Sequence, residues 1–264
     1  PFYSTWLFVK HFKKPTWHVI IYYIPFLGFL VWAEIIIEIM KRMGRFGYWE
    51  HIGAVVFSGI YLPYLVHNYQ DEYLSLEEVK KYKKTKTREW VDALTFAVVA
   101  ASIIRAIYFE AFTIPTSSLE KTLLIGDFLF VSKVSYGPRL PMTPVSFPFV
   151  HHTLPFTQFT KSYIESLKLP YYRLPGLGEV ERNDLVVFNF PAGDTVALRQ
   201  QNRVYSQLVR NYGEQALKQG YAFEAQRGKI YFGDVVTRPI DKRENYIKRC
   251  VAIPGDVLEF KDRT

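Results

Sequence analysis

The sequence predicts a membrane-anchored α region, residues 1–112, followed by a mainly antiparallel β domain, residues 113–264. Long apolar runs are concentrated in the first 112 residues, and after Thr113 they give way to short apolar runs separated by Gly, Pro and Asp. Long uncharged runs are typical of helices that cross a bilayer, whereas short runs between turn residues are typical of strands.

Two to three membrane helices are predicted, near residues 16–40, 52–69 and 90–109. The first two contain uncharged stretches close to the roughly 20 residues that a helix needs to cross the hydrocarbon core. The second is interrupted by Gly53, Gly59 and Pro63, so a re-entrant or interfacial helix is the alternative there. Glu34 and Glu38 share one helix face at the end of the first run, either at the membrane interface or as a buried polar site.

The loop at residues 71–89 sets the predicted orientation, because it carries a run of basic residues: Lys80, Lys81, Lys83, Lys84, Lys86 and Arg88. By the positive-inside rule this loop is cytoplasmic, which places the β domain on the far side of the membrane. The net charge of +8 is partly concentrated beside the predicted helices. Anionic lipid head groups are therefore the expected partner of these charges, and no nucleic-acid-binding module is recognised.

The ends of the chain and its cysteine content give weaker indications. The single Cys250 excludes an internal disulfide framework. The sequence opens on Pro1 without a charged leader or a cleavage-type site, so no removable signal peptide is predicted and an incomplete N-terminus is expected.

Within the β domain, a turn that ends in Asp precedes most of the apolar runs. The predicted strands are Phe128–Val131, Leu185–Phe188, Asp234–Val236 and Val257–Phe260. An insertion at about 192–240 contains one predicted surface helix, residues 199–219, which ends at Gly220. The segment 136–177 is rich in Pro and aromatic residues, and it lies either in the membrane interface or over the β core.

Ser118, which follows Pro115 just after the last predicted helix, is the candidate nucleophile, with Ser117 beside it. A serine hydroxyl needs a base within hydrogen-bond reach. None of the six histidines lies beyond residue 152, and the adjacent His151 and His152 point opposite ways on an extended chain. A Ser-His-Asp triad is therefore disfavoured, and a catalytic or metal-binding role for this pair is a minor alternative.

Two lysines compete as the base. Lys121 completes an S-x-x-K pattern with Ser118, in which one helical turn brings the two side chains together, but the companion S-D-N and K-T-G motifs are absent. Lys248 lies on a predicted strand, where it shares a face with Tyr246 and Cys250. From the residues alone, either lysine can equally be a solvated surface charge.

Four segments in order resemble type I signal peptidases. Residues 114–127 are similar to that family's I-P-S-G-S-M-x-P-T-L-x-x-G-D segment, residues 182–188 to R-G-D-x-V-V-F, and residues 246–256 to Y-x-K-R-x-x-G-x-P-G-D, while residues 105–112 resemble its helix exit. The resemblance covers residues 105–260 apart from the insertion. The departures are Ser117 for glycine, Leu119 for methionine, Lys121 for proline and Ala252 for glycine.

This resemblance implies a signal-peptidase-like β fold and a serine endopeptidase. Ser118 would be the nucleophile and Lys248 the unprotonated base, with the Thr116 hydroxyl and the Ser118 N–H forming the oxyanion hole. Neither a metal nor an organic cofactor is expected. The implied substrates are exported precursor proteins, cleaved after small residues, and the implied place is the bacterial plasma membrane, multi-pass, with the catalytic domain outside and secretion machinery as a possible partner.

The family's last motif, G-D-N-R, has no counterpart after Asp256. Because that motif helps to orient the lysine in the family, a chain truncated at its C-terminus is expected. The alternative is a non-catalytic membrane subunit or binding protein that uses the same fold.

Overall fold

The computed structural model describes residues 2–68, 73–157, 159–191, 193–224 and 228–259. The chain divides into two compact units, Pro1–Ile104 and Arg105–Thr264. The first unit is helical, and the second combines antiparallel strand pairs with short helices.

The helices that begin in the first unit are α1 (Phe2–His11), α2 (Trp17–Tyr23), α3 (Gly28–Arg42), α4 (Tyr48–Val56), α5 (Ser58–Asn68), α6 (Leu76–Lys81) and α7 (Lys86–Ile107). Its buried core comes from α3, its C-terminal end, α4 and α5, namely Ile36, Met40, Met43, Ala54 and Leu65. Apolar side chains that meet in this way exclude water from between the three helices.

Among the described residues, α7 is the helix long and apolar enough to cross a membrane by itself. Its 22 residues correspond to about 33 Å at 1.5 Å per residue, enough for a hydrocarbon core of roughly 30 Å. The Asp92 carboxylate near its start accepts hydrogen bonds from Lys84 Nζ at 2.5 Å and from Arg88 Nε at 2.7 Å. Asp92 is thereby paired with two of the basic side chains near this end of the helix.

The first two apolar runs each form two helices, where the sequence predicted one continuous helix. Pro25 and Phe26 (φ 64°) separate α2 from α3. Pro25 has no N–H to donate to the preceding turn, and the positive φ of Phe26 turns the chain out of the helix. Phe57 (φ −116°) separates α4 from α5, and Pro63 lies inside α5.

Glu34 and Glu38 are both ion-paired. Lys14 Nζ lies 2.7 Å from Glu34 Oε1, and His18 Nε2 lies 3.1 Å from Glu34 Oε2. Lys41 Nζ lies 3.1 Å from Glu38 Oε2. This face of α3 therefore carries a satisfied charge network.

The second unit contains four antiparallel strand pairs among its described residues. They are β1 (Phe109–Thr113) with β2 (Phe128–Ser132), β3 (Leu185–Asn189) with β8 (Asn245–Arg249), β4 (Thr195–Ala197) with β7 (Val235–Thr237), and β5 (Tyr221–Glu224) with β6 (Gly228–Tyr231). Helices α8 (Tyr205–Tyr212) and α9 (Glu214–Gln219) lie between β4 and β5, and short 3₁₀ turns occur at Ser117–Leu119, Leu198–Gln200 and Ile240–Lys242.

Three of the four predicted strands correspond to β2, β3 and β7, but the fourth prediction was wrong. Residues 257–259 are not in a strand, and Phe260 lies outside the described residues. Val257 is 95% exposed, so this short apolar run has neither a packing surface nor a pairing partner within the part of the chain that is described. Periodicity alone does not supply such a partner.

The single predicted helix of the insertion is two helices. Gly213 lies between α8 and α9 with φ 81°, a backbone conformation that ends a right-handed helix. Gly220 ends α9 in the left-handed conformation at φ 78°, as the sequence predicted. Ala197, Leu208, Leu217 and Phe232 form the buried core of the insertion.

The aromatic segment 136–177 has both a packed part and an exposed part. Thr143 is buried, and its N–H and hydroxyl donate to Asp241 Oδ2 at 3.1 and 2.9 Å. Phe147 and Phe156 are exposed. The packed part agrees with a loop over the β core, and the membrane interface stays a prediction for the exposed part.

Glu110 on β1 joins two cations. Its carboxylate lies 2.9 Å from Arg105 Nη2 and 2.8 Å from Lys133 Nζ, and 12% of its side chain is exposed. Burial by itself would raise the pKa of Glu110, but the Lys133 ammonium and the Arg105 guanidinium outweigh it and lower the pKa. Because the folded pKa is the lower one, this carboxylate stabilises the fold above its unfolded pKa of about 4.5 and stops doing so as pH falls through the folded value.

We therefore expect the free energy of unfolding to decrease as pH is lowered below about 4.5, and Glu110→Gln to reduce that dependence. At neutral pH the same substitution should cost about 1–3 kcal/mol, because it leaves Lys133 without its partner. Denaturant titrations between pH 3 and 7 measure both effects. Glu165→Gln, which removes an exposed carboxylate that is ion-paired with Lys161, is the control. An equal pH dependence in both variants would contradict this role of Glu110.

Candidate active site

A rigid turn after β1 presents Ser118. Ile114 is 4% exposed, its N–H donates to Asp127 O at 3.0 Å, and its carbonyl accepts from Gly126 N at 2.9 Å. Pro115 restricts Ile114 to an extended conformation, and the chain then enters the 3₁₀ turn Ser117–Leu119. The backbone hydrogen bonds of Ile114 hold the start of this segment in place. Ser118 is exposed.

The strand β8 brings Lys248 to this turn. In the β3–β8 pair, Lys248 is opposite Val186. Lys248 Nζ donates to Ser118 Oγ at 2.5 Å, although 130 residues separate the two in the chain. Ser117 lies in the same turn, but the serine in contact with the amine is Ser118.

Arg249, the last residue of β8, also reaches the nucleophile segment. Its Nη2 donates to Thr122 Oγ1 at 2.9 Å, and its Nη1 donates to Asn183 O at 2.9 Å. Strand alternation predicts that Lys248 and Arg249 point to opposite faces. At the end of the strand, the long Arg249 side chain nevertheless reaches Thr122, which follows the turn by three residues. β8 therefore contacts the nucleophile segment at Ser118 and at Thr122.

Lys121 is not stacked on Ser118. The 3₁₀ turn ends at Leu119, Glu120 is extended (ψ 144°), and Lys121 has φ 76°. The S-x-x-K pattern brings its two side chains together only on a continued helical turn. Such a turn does not form here.

Thr116 stands beside the candidate nucleophile. Its Oγ1 lies 3.4 Å from Ser118 Oγ, and its backbone is extended (φ −137°, ψ 154°). The hydroxyls of Thr116 and Ser118 thus share the exposed side of the turn.

The two adjacent histidines have other partners. His151 Nε2 lies 2.9 Å from the carbonyl of Arg243, and burial lowers the pKa of its imidazole. His152 Nε2 lies 3.1 Å from Glu244 Oε1. Across the described residues, no group of three or more His, Cys, Asp or Glu side chains is arranged to hold a metal ion.

The segment before β3 is tied to the end of β8. Asn183 N donates to Cys250 O at 2.7 Å, and Cys250 N donates to Asp184 O at 2.8 Å. Arg182 forms a bidentate ion pair with Asp256. Its Nε donates to Oδ2 at 2.8 Å, and its Nη2 donates to Oδ1. These contacts fix the backbone directly after Lys248 and Arg249.

Tyr136 reinforces this junction. Its hydroxyl donates to Asp184 Oδ2 at 2.5 Å, and this hydrogen bond to a carboxylate raises the pKa of Tyr136 to about 12. Neither Tyr136 nor Thr122 is predicted from the sequence as a residue of the site. The Arg182–Asp256 ion pair could have been predicted from the opposite charges of two motifs, R-N-D at residues 182–184 and P-G-D at residues 254–256.

Comparison with known proteins gives two family matches. The family described as "Signal peptidase, peptidase S26" matches residues 87–264. A family of unknown function, DUF5684, matches residues 1–75. No solved structure matches the chain significantly.

Curated relatives named Signal peptidase I match parts of the chain. The protein of Rickettsia canadensis (strain McKiel) is 32% identical over 108 residues, which are 41% of this chain and 33% of the relative. That of Pseudomonas fluorescens is 25% identical over 158 residues, 60% of this chain and 29% of the relative. That of Haemophilus influenzae (strain ATCC 51907 / DSM 11121 / KW20 / Rd) is 37% identical over 70 residues, 26% of this chain and 20% of the relative. The matched region is thus a third or less of each of these relatives.

Proposed function

The chain belongs to the signal peptidase family, peptidase S26, and from that premise we propose that it is a serine endopeptidase that removes signal peptides from exported precursor proteins. The relatives named Signal peptidase I support this activity. The observation that carries it is the 2.5 Å contact between Lys248 Nζ and Ser118 Oγ. An amine at this distance is within reach of the hydroxyl proton.

In the proposed reaction, the neutral amine of Lys248 accepts the hydroxyl proton of Ser118 as Oγ attacks the scissile carbonyl carbon. The Thr116 hydroxyl and the Ser118 N–H donate hydrogen bonds to the oxyanion that forms. Lys248 then returns the proton to the leaving amine, which leaves an acyl ester on Ser118. Water, deprotonated by the same lysine, hydrolyses this ester. The residues of the chain complete this cycle without a cofactor.

The reaction needs Lys248 in its neutral form, yet the side chain is exposed in the free protein. Removing water from an amine disfavours its charged form. A polypeptide laid across Ser118 would cover Lys248 and thereby favour the neutral amine. Substrate binding and activation of the base are, in this proposal, the same event.

The proposed location is the bacterial plasma membrane, with several membrane passes. α7 supports one pass. The broken pairs α2–α3 and α4–α5 supply one or two more, since interrupted helices are tolerated where they pack within protein. The basic loop 71–89 faces the cytoplasm and the unit that carries Ser118 faces outward. Signal-peptide-bearing precursors, membrane lipids and secretion machinery are the proposed partners.

Ser118→Ala and Lys248→Ala should each lower cleavage of a purified precursor by about a thousandfold or more, because each removes one half of the nucleophile–base pair. Ser117→Ala and Lys121→Ala are the matched controls. Each should retain activity within about twofold, because substitutions of exposed residues outside the site usually have small effects. Precursor cleavage by protein in detergent, followed on gels, measures this. A requirement for Lys121 instead of Lys248 would replace the proposed base, and full activity of Ser118→Ala would favour the non-catalytic alternative.

Thr116→Val should lower kcat by about a hundredfold with little change in KM, because one oxyanion donor is lost without loss of volume. Thr116→Ser keeps the hydroxyl and should restore most of the rate. Steady-state kinetics with a peptide that spans a cleavage site separates kcat from KM. Equal rates for the valine and serine variants would remove Thr116 from the oxyanion hole.

The proposed orientation can be tested with single cysteines in a Cys250→Ser background. Lys218→Cys, at an exposed position in the insertion, should react with a membrane-impermeant maleimide in intact cells. Lys83→Cys, in the basic loop, should react only after the membrane is permeabilised, because the positive-inside rule places that loop in the cytoplasm. The reverse labelling pattern would invert the orientation.

A further inference from the structure

The β5–β6 hairpin of the insertion has two chemically different faces. Ala222 and Ile230, which are paired across the hairpin, pack on the buried core of the insertion. The alternate positions lie on the other face, and they carry Tyr221, Phe223, Lys229 and Tyr231. Phe223 is 76% exposed and Tyr231 is 49% exposed. This aromatic and basic face is therefore open to a partner.

Lys229 and Arg199 are held against aromatic rings on this face. Lys229 Nζ lies 4.0 Å from the ring centre of Tyr221 and 5.1 Å from that of Tyr231. Arg199 Cζ lies 5.6 Å from the ring centre of Tyr231 and 5.4 Å from that of Phe159. The two cations thus flank Tyr231 at defined positions. Ring faces attract the cations but leave N–H donors free for a ligand.

Neither cation has a carboxylate partner among the described residues. Lys218 and Lys161, also in the second unit, are by contrast paired with Glu214 and Glu165. The open groove between Arg199 and Lys229 has a volume of about 730 Å³. Its described lining includes Phe159, Gln200, Asn202 and Tyr231, and no Asp or Glu. A groove of this size and charge suits an anionic ligand.

We propose that this groove is an accessory binding site for an acidic segment of a polypeptide, and specifically for the part of a precursor that follows its cleavage site. The inference rests on the proposed peptidase function for the identity of that polypeptide. Amide side chains at Gln200 and Asn202 suit the hydrogen-bonding groups of a peptide backbone.

The connection of the groove to the active site favours the same occupant. The chain leaves β3 at Asn189, builds the insertion and returns into β8 near Asn245, and Asn189 Nδ2 donates to Asn245 Oδ1 at 2.9 Å. Lys248 lies three positions along β8 from that junction, which is about 10 Å of strand. The insertion is thus attached to the β3–β8 pair, in which β8 carries the base.

Two precursors with the same signal peptide and cleavage site test this site. One carries a cluster of Asp and Glu residues after the site, and the other carries Asn and Gln at the same positions. In the full chain in detergent, Arg199→Gln combined with Lys229→Gln should lower the ratio of kcat/KM for the acidic precursor to that for the neutral one by about tenfold. Lys218→Gln removes one charge from the same insertion outside the groove and should leave that ratio unchanged. Circular dichroism establishes that the variants are folded.

A binding measurement separates this proposal from the peptidase proposal. An acidic peptide without a cleavage site, labelled with a fluorophore, should bind the Ser118→Ala protein and lose affinity about tenfold in the double variant. If neither precursor is cleaved, the peptidase proposal fails. The peptide-binding measurement alone then tests whether the groove binds an acidic polypeptide. An unchanged precursor ratio together with unchanged peptide affinity would overturn the groove as a polypeptide site. Loss of binding only to vesicles containing anionic phospholipid would overturn it in favour of a lipid surface.

Discussion

The hydrogen bond between Lys248 Nζ and Ser118 Oγ is the interaction on which the proposed chemistry of the second unit depends. Its two atoms lie 2.5 Å apart but belong to residues separated by 130 positions. Flexible loops do not hold such a distance well, because fixing their backbone costs conformational entropy. Both residues are instead fixed by backbone pairing, Ser118 by the anchored turn between β1 and β2, and Lys248 by its register with β3. Arg249 and the Arg182–Asp256 pair then hold the end of β8 against the turn.

The sequence identified the residues that meet at this site but not the contacts that hold them in place. Ser118, Thr116 and Lys248 belong to ordered motifs whose residue types can be read directly, and the structure places their side chains together. Tyr136 and Thr122 escaped notice because each acts through a partner that is distant in the chain. A tyrosine or threonine in isolation carries no such signal. Long-range partners become visible only when the register of β3 with β8 is known.

The fold shows the same division between local and non-local information. Gly220 was predicted as a helix end because the left-handed conformation is a local property of glycine. Val257 was wrongly assigned to a strand, because whether an apolar run becomes a strand depends on a neighbour with which to pair. Pro25 lies between α2 and α3, which hydropathy predicted as one helix. Hydropathy measures how well a segment suits lipid and does not report where the helical backbone is interrupted.

The base Lys248 and the two cations of the groove differ from the carboxylates of the second unit in how their charges are paired. Glu110, Asp184 and Asp256 each have a cation or a hydroxyl in contact, whereas Lys248 is exposed and Arg199 and Lys229 have no carboxylate partner among the described residues. An exposed lysine becomes a base only when something removes its water, and that removal opposes binding. Binding free energy from a remote part of the substrate can offset this cost at the reacting centre. A groove that attracts an acidic segment would therefore assist Lys248 without touching it, by holding the polypeptide across Ser118 long enough for the amine to lose its proton.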